Sequence, residues 1–161
     1  MKATLRAVNS FALLFALFAF MNSALAADNG LINKQSRYSV KETIARFEAA
    51  VKAKGSPGWT VFTEIDHAAA AKNVGLKMRP RTVIVFGNPK FGSLLMMKTP
   101  TLAIDVPPKA LVWEDDQGKV WLTYNSAEYL VNVIYARHGL HVPPSPRIAE
   151  ALETFSDYAT K

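Results

Sequence analysis

The stretch that most constrains the fold runs from Arg79 to Gly92. Val83-Ile84-Val85-Phe86 is an uninterrupted apolar, β-branched run, closed by Gly87-Asn88-Pro89. Such a run predicts a central strand buried on both faces, and the closing residues predict that it empties straight into a helix. Asn88 suits the N-cap, and Pro89 suits the first helical position while holding Asn88 in the extended backbone that a cap uses. The helix carries Leu94, Leu95, Met96 and Met97 and ends before Pro100.

The flanking segments alternate in type. Ser39 and Glu42 form a capping box for a helix with Val40, Ile44, Phe47 and Val51 on one stripe and Gly55 as its stop. Trp59, Val61 and Ile65 alternate with polar residues as a strand, and Asp66 caps a short helix through Ala68–Ala71. Leu102, Ile104 and Val106 read as a further strand cut off by Pro107-Pro108. Lys109–Trp113 and Val120–Tyr124 flank an acidic turn with Gly118, which predicts a hairpin. Asn125 caps a helix whose stripe is Tyr129, Leu130, Val133 and Ile134. A Pro143–Pro146 connector then leads to a last helix that docks through Ile148, Leu152 and Phe155. The hairpin excludes a purely parallel sheet. The expectation is one α+β domain over 38–161, a mixed sheet with helices packed on it and a C-terminal helix after the Pro-rich connector.

Lys2 and Arg6, the apolar run Phe11–Met21 and Ala24-Leu25-Ala26 predict a secretory signal peptide over 1–26, with a flexible lead-in over 27–37. The apolar run is too short for a membrane span, so no stable anchor is expected after cleavage. The expected location is periplasmic or secreted. The formal charge of +6 falls by two when the leader is removed, and the basic residues are scattered. That pattern fits solubility or loose attraction to anionic surfaces, not nucleic acid. The absence of cysteine excludes disulfides, thiolate chemistry, Cys-ligated metal and covalent c-type haem. No cofactor is expected.

Three strand-to-helix junctions share one chemistry: Asp66-His67, Gly87-Asn88-Pro89-Lys90 and Tyr124-Asn125. Each sets exposed helix amides beside a polar side chain, an arrangement that binds anions. The candidate ligand-binding set is Asp66, His67, Arg79, Asn88, Lys90, Tyr124 and Asn125, with the three junctions on one sheet edge if their strands run the same way. The alternative is that Asp66, Asn88 and Asn125 only cap helices. A phosphate loop is excluded because Ser93 stands where lysine is required. His138 and His141 straddle Gly139 and so do not share a helical face for a metal. No catalytic Ser/His/Asp order and no metal site is assigned. Asp115-Asp116 reads as solvated turn residues.

Asp66-His67-Ala68-Ala69-Ala70-Ala71 with Gly75, Arg79-Pro80, Phe86-Gly87-Asn88-Pro89 with Gly92, Asp105-Val106-Pro107, Val112-Trp113-Glu114-Asp115 and Tyr124-Asn125 recur in order. On these motifs Tyr38–Leu140 resembles the bacterial and archaeal family called domain of unknown function 302. The resemblance implies a compact α+β fold, often dimeric, without an established activity. Arg81, Pro108 and Ser126-Ala127 depart from the usual pattern. The expected function is an exported, non-catalytic or accessory module that binds a small polar or anionic ligand at the junctions and can form a homodimer. The rivals are an enzyme or redox accessory using His67 with Tyr124 or a bound metal, and a structural partner-binding module.

Overall fold

The computed structural model describes residues 29–55 and 57–161, so the signal-peptide expectation over 1–26 lies outside the described residues. Five strands, β1 (Leu31–Ser36), β2 (Thr60–Asp66), β3 (Arg81–Gly87), β4 (Lys109–Glu114) and β5 (Val120–Asn125), form one sheet in the order β1-β5-β4-β3-β2. Every neighbouring pair is antiparallel. The sheet is therefore antiparallel throughout rather than mixed: the helix after β1 carries the chain from that edge strand across to the other, β2, and each later strand then pairs with the strand before it. Leu31–Ser36, expected within a flexible lead-in, is an edge strand paired along β5.

Helices α1 (Val40–Lys54) and α5 (Pro146–Thr160) cover one face of the sheet. Thr82, Ile84 and Phe86 of β3, Ala110 and Val112 of β4, and Leu122 of β5 are buried beneath them. Phe47, Trp59, Phe86 and Phe155 interlock there, with Phe86 edge-on to Phe47 at a centroid distance of 5.0 Å. Val83 and Val85 point the other way and stay half-exposed, so β3 is buried on one face rather than two. An apolar run reports that a strand lies inside a sheet, not that both its faces are covered. β2 carries a bulge between Val61 and Thr63. The extra residue inverts the alternation, so Val61 packs beside Phe86 whereas Ile65 pairs with Val83 on the open face.

The segment expected as a strand at Leu102–Val106 is a 3-10 turn, Pro100–Ile104, following helix α3 (Pro89–Lys98). Pro100 opens the turn and Asp105 N–H donates to the Leu102 carbonyl. Leu102 is buried in a second apolar cluster with Val131 and Tyr135. The helix after β5 is capped by Ser126, not Asn125: Ser126 Oγ accepts from Tyr129 N–H at 3.1 Å. This helix, α4, is a single α-turn (Ala127–Tyr129) that widens into a π-helix (Leu130–Tyr135). The widening turns Val131 and Tyr135 inward and leaves Val133 exposed, which the expected stripe did not anticipate.

Lys34 of β1 ties the sheet edge to α5, donating to Asp157 at 2.5 Å and Glu153 at 3.4 Å. Hydrogen bonds from Lys161 and Lys34 hold the Asp157 carboxyl below the usual carboxylate range. Because the folded value is depressed, the associated stability is present above the ordinary Asp value near about 3.9 and is lost as pH falls through the folded value. Asp157→Asn is expected to lower stability at pH 7 by about 0.5–1 kcal/mol. Urea melts of variant and parent should converge in acid below that window; a difference that persists there would remove the ionic origin.

Candidate functional site

Strand direction separates the three junctions. β3 and β5 run the same way, so Asn88 and Asn125 emerge at one end of the sheet; β2 runs oppositely, so Asp66 and His67 emerge at the other. Arg79 also lies at that other end, where its guanidinium pairs with Glu114 at 2.8 Å and Asp116 at 3.3 Å and braces the β4–β5 hairpin. Asp66 caps α2 (His67–Asn73), accepting from Ala69 N–H at 2.9 Å, and His67 is exposed beside it. Tyr124 is buried against α5, where its hydroxyl oxygen accepts from Ser156 at 3.2 Å. It lies three strands from His67, about 14 Å across the sheet. The pairing of His67 with Tyr124 is not assembled by this fold.

At the Asn88 end the geometry is different. Asn88 Oδ1 accepts from Phe91 N–H at 3.4 Å to cap α3, and its Nδ2 donates to the Pro57 carbonyl at 3.3 Å. Asn88 thereby joins the loop between α1 and β2 to the start of α3. Behind it lies an apolar cavity of about 90 Å³ between the two hydrophobic clusters, walled by Trp59, Phe62, Leu95, Met96, Leu130 and Tyr135. A second cleft of about 260 Å³ shares Trp59, Asn88, Phe91 and Ile148 with this cavity and adds Ser145 and Arg147. Arg147 is exposed and makes no ion pair among the described residues, and Ser145 stands at the start of α5 with no side-chain cap bond. Lys90 and Asn125 are at this end of the sheet but do not line either space.

Ser145, Arg147 and Ile148 were missed because the Pro-rich connector that returns them to Asn88 gives no signal of where it lands. Equally hidden was a cluster below the second apolar core: His138 Nε2 lies 2.6 Å from Asp105 Oδ2, its Nδ1 lies 3.0 Å from Thr101 Oγ1, and Arg137 reaches the same Asp105 oxygen at 2.8 Å. His138 is therefore engaged at both ring nitrogens and is not paired with His141. Among the described residues no group of three His, Asp or Glu side chains could hold a metal ion.

At the opposite end, a groove of about 570 Å³ runs between α1 and β2, with Glu48, Glu64 and Asp66 set among apolar walls that include Val40 and Ile44. Burial and a hydrogen bond shared with Glu64 push the Glu48 carboxyl up. Asp115, expected as a solvated turn residue, organises the hairpin: it accepts from the backbone N–H groups of Gln117 and Lys119 and from Trp121 Nε1. Those bonds, that from Trp121 first, hold its carboxyl below the usual range.

A family model described as "Domain of unknown function DUF302" matches residues 32–156. The chain belongs to that family. The match extends beyond the motif-bearing stretch to take in β1 and most of α5. A crystal structure of an uncharacterized conserved DUF302 protein from Bacillus stearothermophilus superposes with a TM-score of 0.57 at 16% identity, covering 81% of this chain and 93% of that one. The two DUF302 proteins therefore share a fold. Among curated proteins, the Fluoride-specific ion channel FluC 1 of Brucella suis biovar 1 (strain 1330) is 45% identical over 134 residues, which are 83% of this chain and 50% of that protein. The protein of the same name from Brucella abortus biovar 1 (strain 9-941) is likewise 45% identical, with 47% of its length covered. The chain spans about half the length of the curated relatives it matches.

Proposed function

We propose that this chain is an exported, non-catalytic accessory domain that binds a small ligand at the β3–α3 junction, apolar at one end and polar or anionic at the other. The observation that carries the reading is the apolar cavity of about 90 Å³ that adjoins a cleft bearing Ser145 and Arg147, the latter exposed and without an ion pair among the described residues. A pocket with an apolar body and a few convergent polar groups is the usual form of a small-molecule site. Its volume is below the ~150 Å³ that admits benzene in an engineered cavity, so the apolar part is a few carbons long. Arg147 supplies the charge that would select a carboxylate over an alcohol of the same length.

Thermal unfolding in a series of short-chain carboxylates and the matching alcohols tests this. Binding to the folded state alone adds about 2.7 kcal/mol at a hundredfold excess over Kd. Arg147→Ala should abolish the preference for the acid and leave the alcohol response. Gly92→Leu should abolish both, because a side chain at Gly92 has room, its nearest neighbour Met96 being 3.8 Å away, and would enter the cavity. No stabilisation at any chain length would sink the proposal.

The name carried by the Brucella relatives favours a second reading, in which the domain attends a membrane ion-transport protein. Among the described residues no helix is long and apolar enough to cross a membrane. Calorimetric titration with fluoride distinguishes the two: heat from fluoride and none from carboxylates would favour the second.

A further inference from the structure

We propose that the outer face of α3 seats the protein on an anionic membrane surface. None of the residues of α3 is buried. Its inner side, Gly92, Leu95 and Met96, lines the cavity, and Leu95 and Met96 pack on the second apolar cluster. The outer side of a helix on a soluble domain is ordinarily polar. Here it carries Leu94 and Met97, which are 57% and 79% exposed, and Ile104 at the end of the following 3-10 turn is 77% exposed. Lys90, Leu94 and Met97 fall four and three residues apart, and Lys98 is four beyond Leu94, so both lysines flank the apolar stripe.

Charge selects the occupant. From His67 through Ile104 the chain contains no Asp or Glu. The first acid after that stretch, Asp105, is paired with the Arg137 guanidinium at 2.8 Å. Apolar side chains bordered by lysines without acids form the pattern of a helix lying in the interface of an anionic bilayer. A second copy fits less well, because a two-fold contact through this face would set Lys90 and Lys98 of one protomer against the same cations of the other. The inference does not depend on the ligand reading.

The chain has no cysteine of its own, so a single introduced one can be labelled uniquely in the full-length protein. An environment-sensitive fluorophore is placed on Leu94→Cys, and on Asp116→Cys in the hairpin at the opposite end of the sheet as a control. Each is titrated with phosphatidylcholine vesicles with and without about one-third phosphatidylglycerol. The expected result is a blue-shifted, several-fold brighter signal at position 94 on the anionic vesicles only, reversed by high salt and unchanged at position 116. Met97→Asp in the 94-labelled chain should weaken partitioning about tenfold. No change at position 94, an equal change at both positions, or a change at position 94 that grows with protein concentration in the absence of lipid would each overturn the proposal, the last by pointing to a second copy.

Discussion

Phe86→Ala is expected to lower stability by about 3–5 kcal/mol, a large share of the roughly 5–15 kcal/mol that holds a domain of this size together. Phe86 is fully buried and meets three aromatic rings: Phe47 edge-on at 5.0 Å, Trp59 stacked at 6.0 Å and Phe155 edge-on at 6.3 Å. Truncation leaves a void that three large rings from α1, the start of β2 and α5 cannot close together, since each is held by its own element. Val85→Ala, one residue away on the open face, should cost about 1 kcal/mol or less, because its side chain already contacts water. Urea denaturation of both variants checks the contrast. Equal losses would mean that a second body covers the open face in solution.

That contrast marks how far local pattern could reach. Helix starts were legible because caps are written in adjacent residues: Ser39, Asp66 and Asn88 each accept the expected backbone bond. The strands β2 to β5 were legible from composition and turns. Which face each residue takes was not, since one bulged residue at Phe62 reverses Ile65, and a π-turn reverses Val133 and Val131. Strand direction is a property of pairing across the sheet, so nothing near Asp66 or Asn88 could reveal that these junctions lie at opposite ends. The same holds for charge: Arg79 looks available in sequence, but Glu114 and Asp116 occupy it from a hairpin far along the chain. Arg147, by contrast, is brought to the Asn88 cleft by a connector whose prolines say only that it is stiff.

The cluster around Asp105 gives this long-range information a measurable consequence. Asp105→Ala is expected to loosen α3 and the 3-10 turn by about 2–3 kcal/mol while leaving the sheet in place. The carboxylate accepts from His138 at 2.6 Å and from Arg137 at 2.8 Å, so its loss leaves the enclosed His138 ring nitrogen without its partner. Thr101, the other partner of His138, lies in the turn itself, and the whole group fastens Pro100–Ile104 to the π-helix beside Leu102 and Tyr135. Helix α3 itself has no buried residue and meets the body through Leu95 and Met96, on the second apolar cluster, and through its cap at Asn88. Amide hydrogen exchange in 91–106 should therefore accelerate by about thirtyfold to a hundredfold, at about 1.4 kcal/mol per tenfold. Exchange in β3 and β5 should change little. Uniform acceleration across the sheet would instead make Asp105 part of the global core, and no acceleration would make its ion pairs ornamental. With α3 loosened the cavity loses a wall, so ligand-induced stabilisation should fall in the same variant.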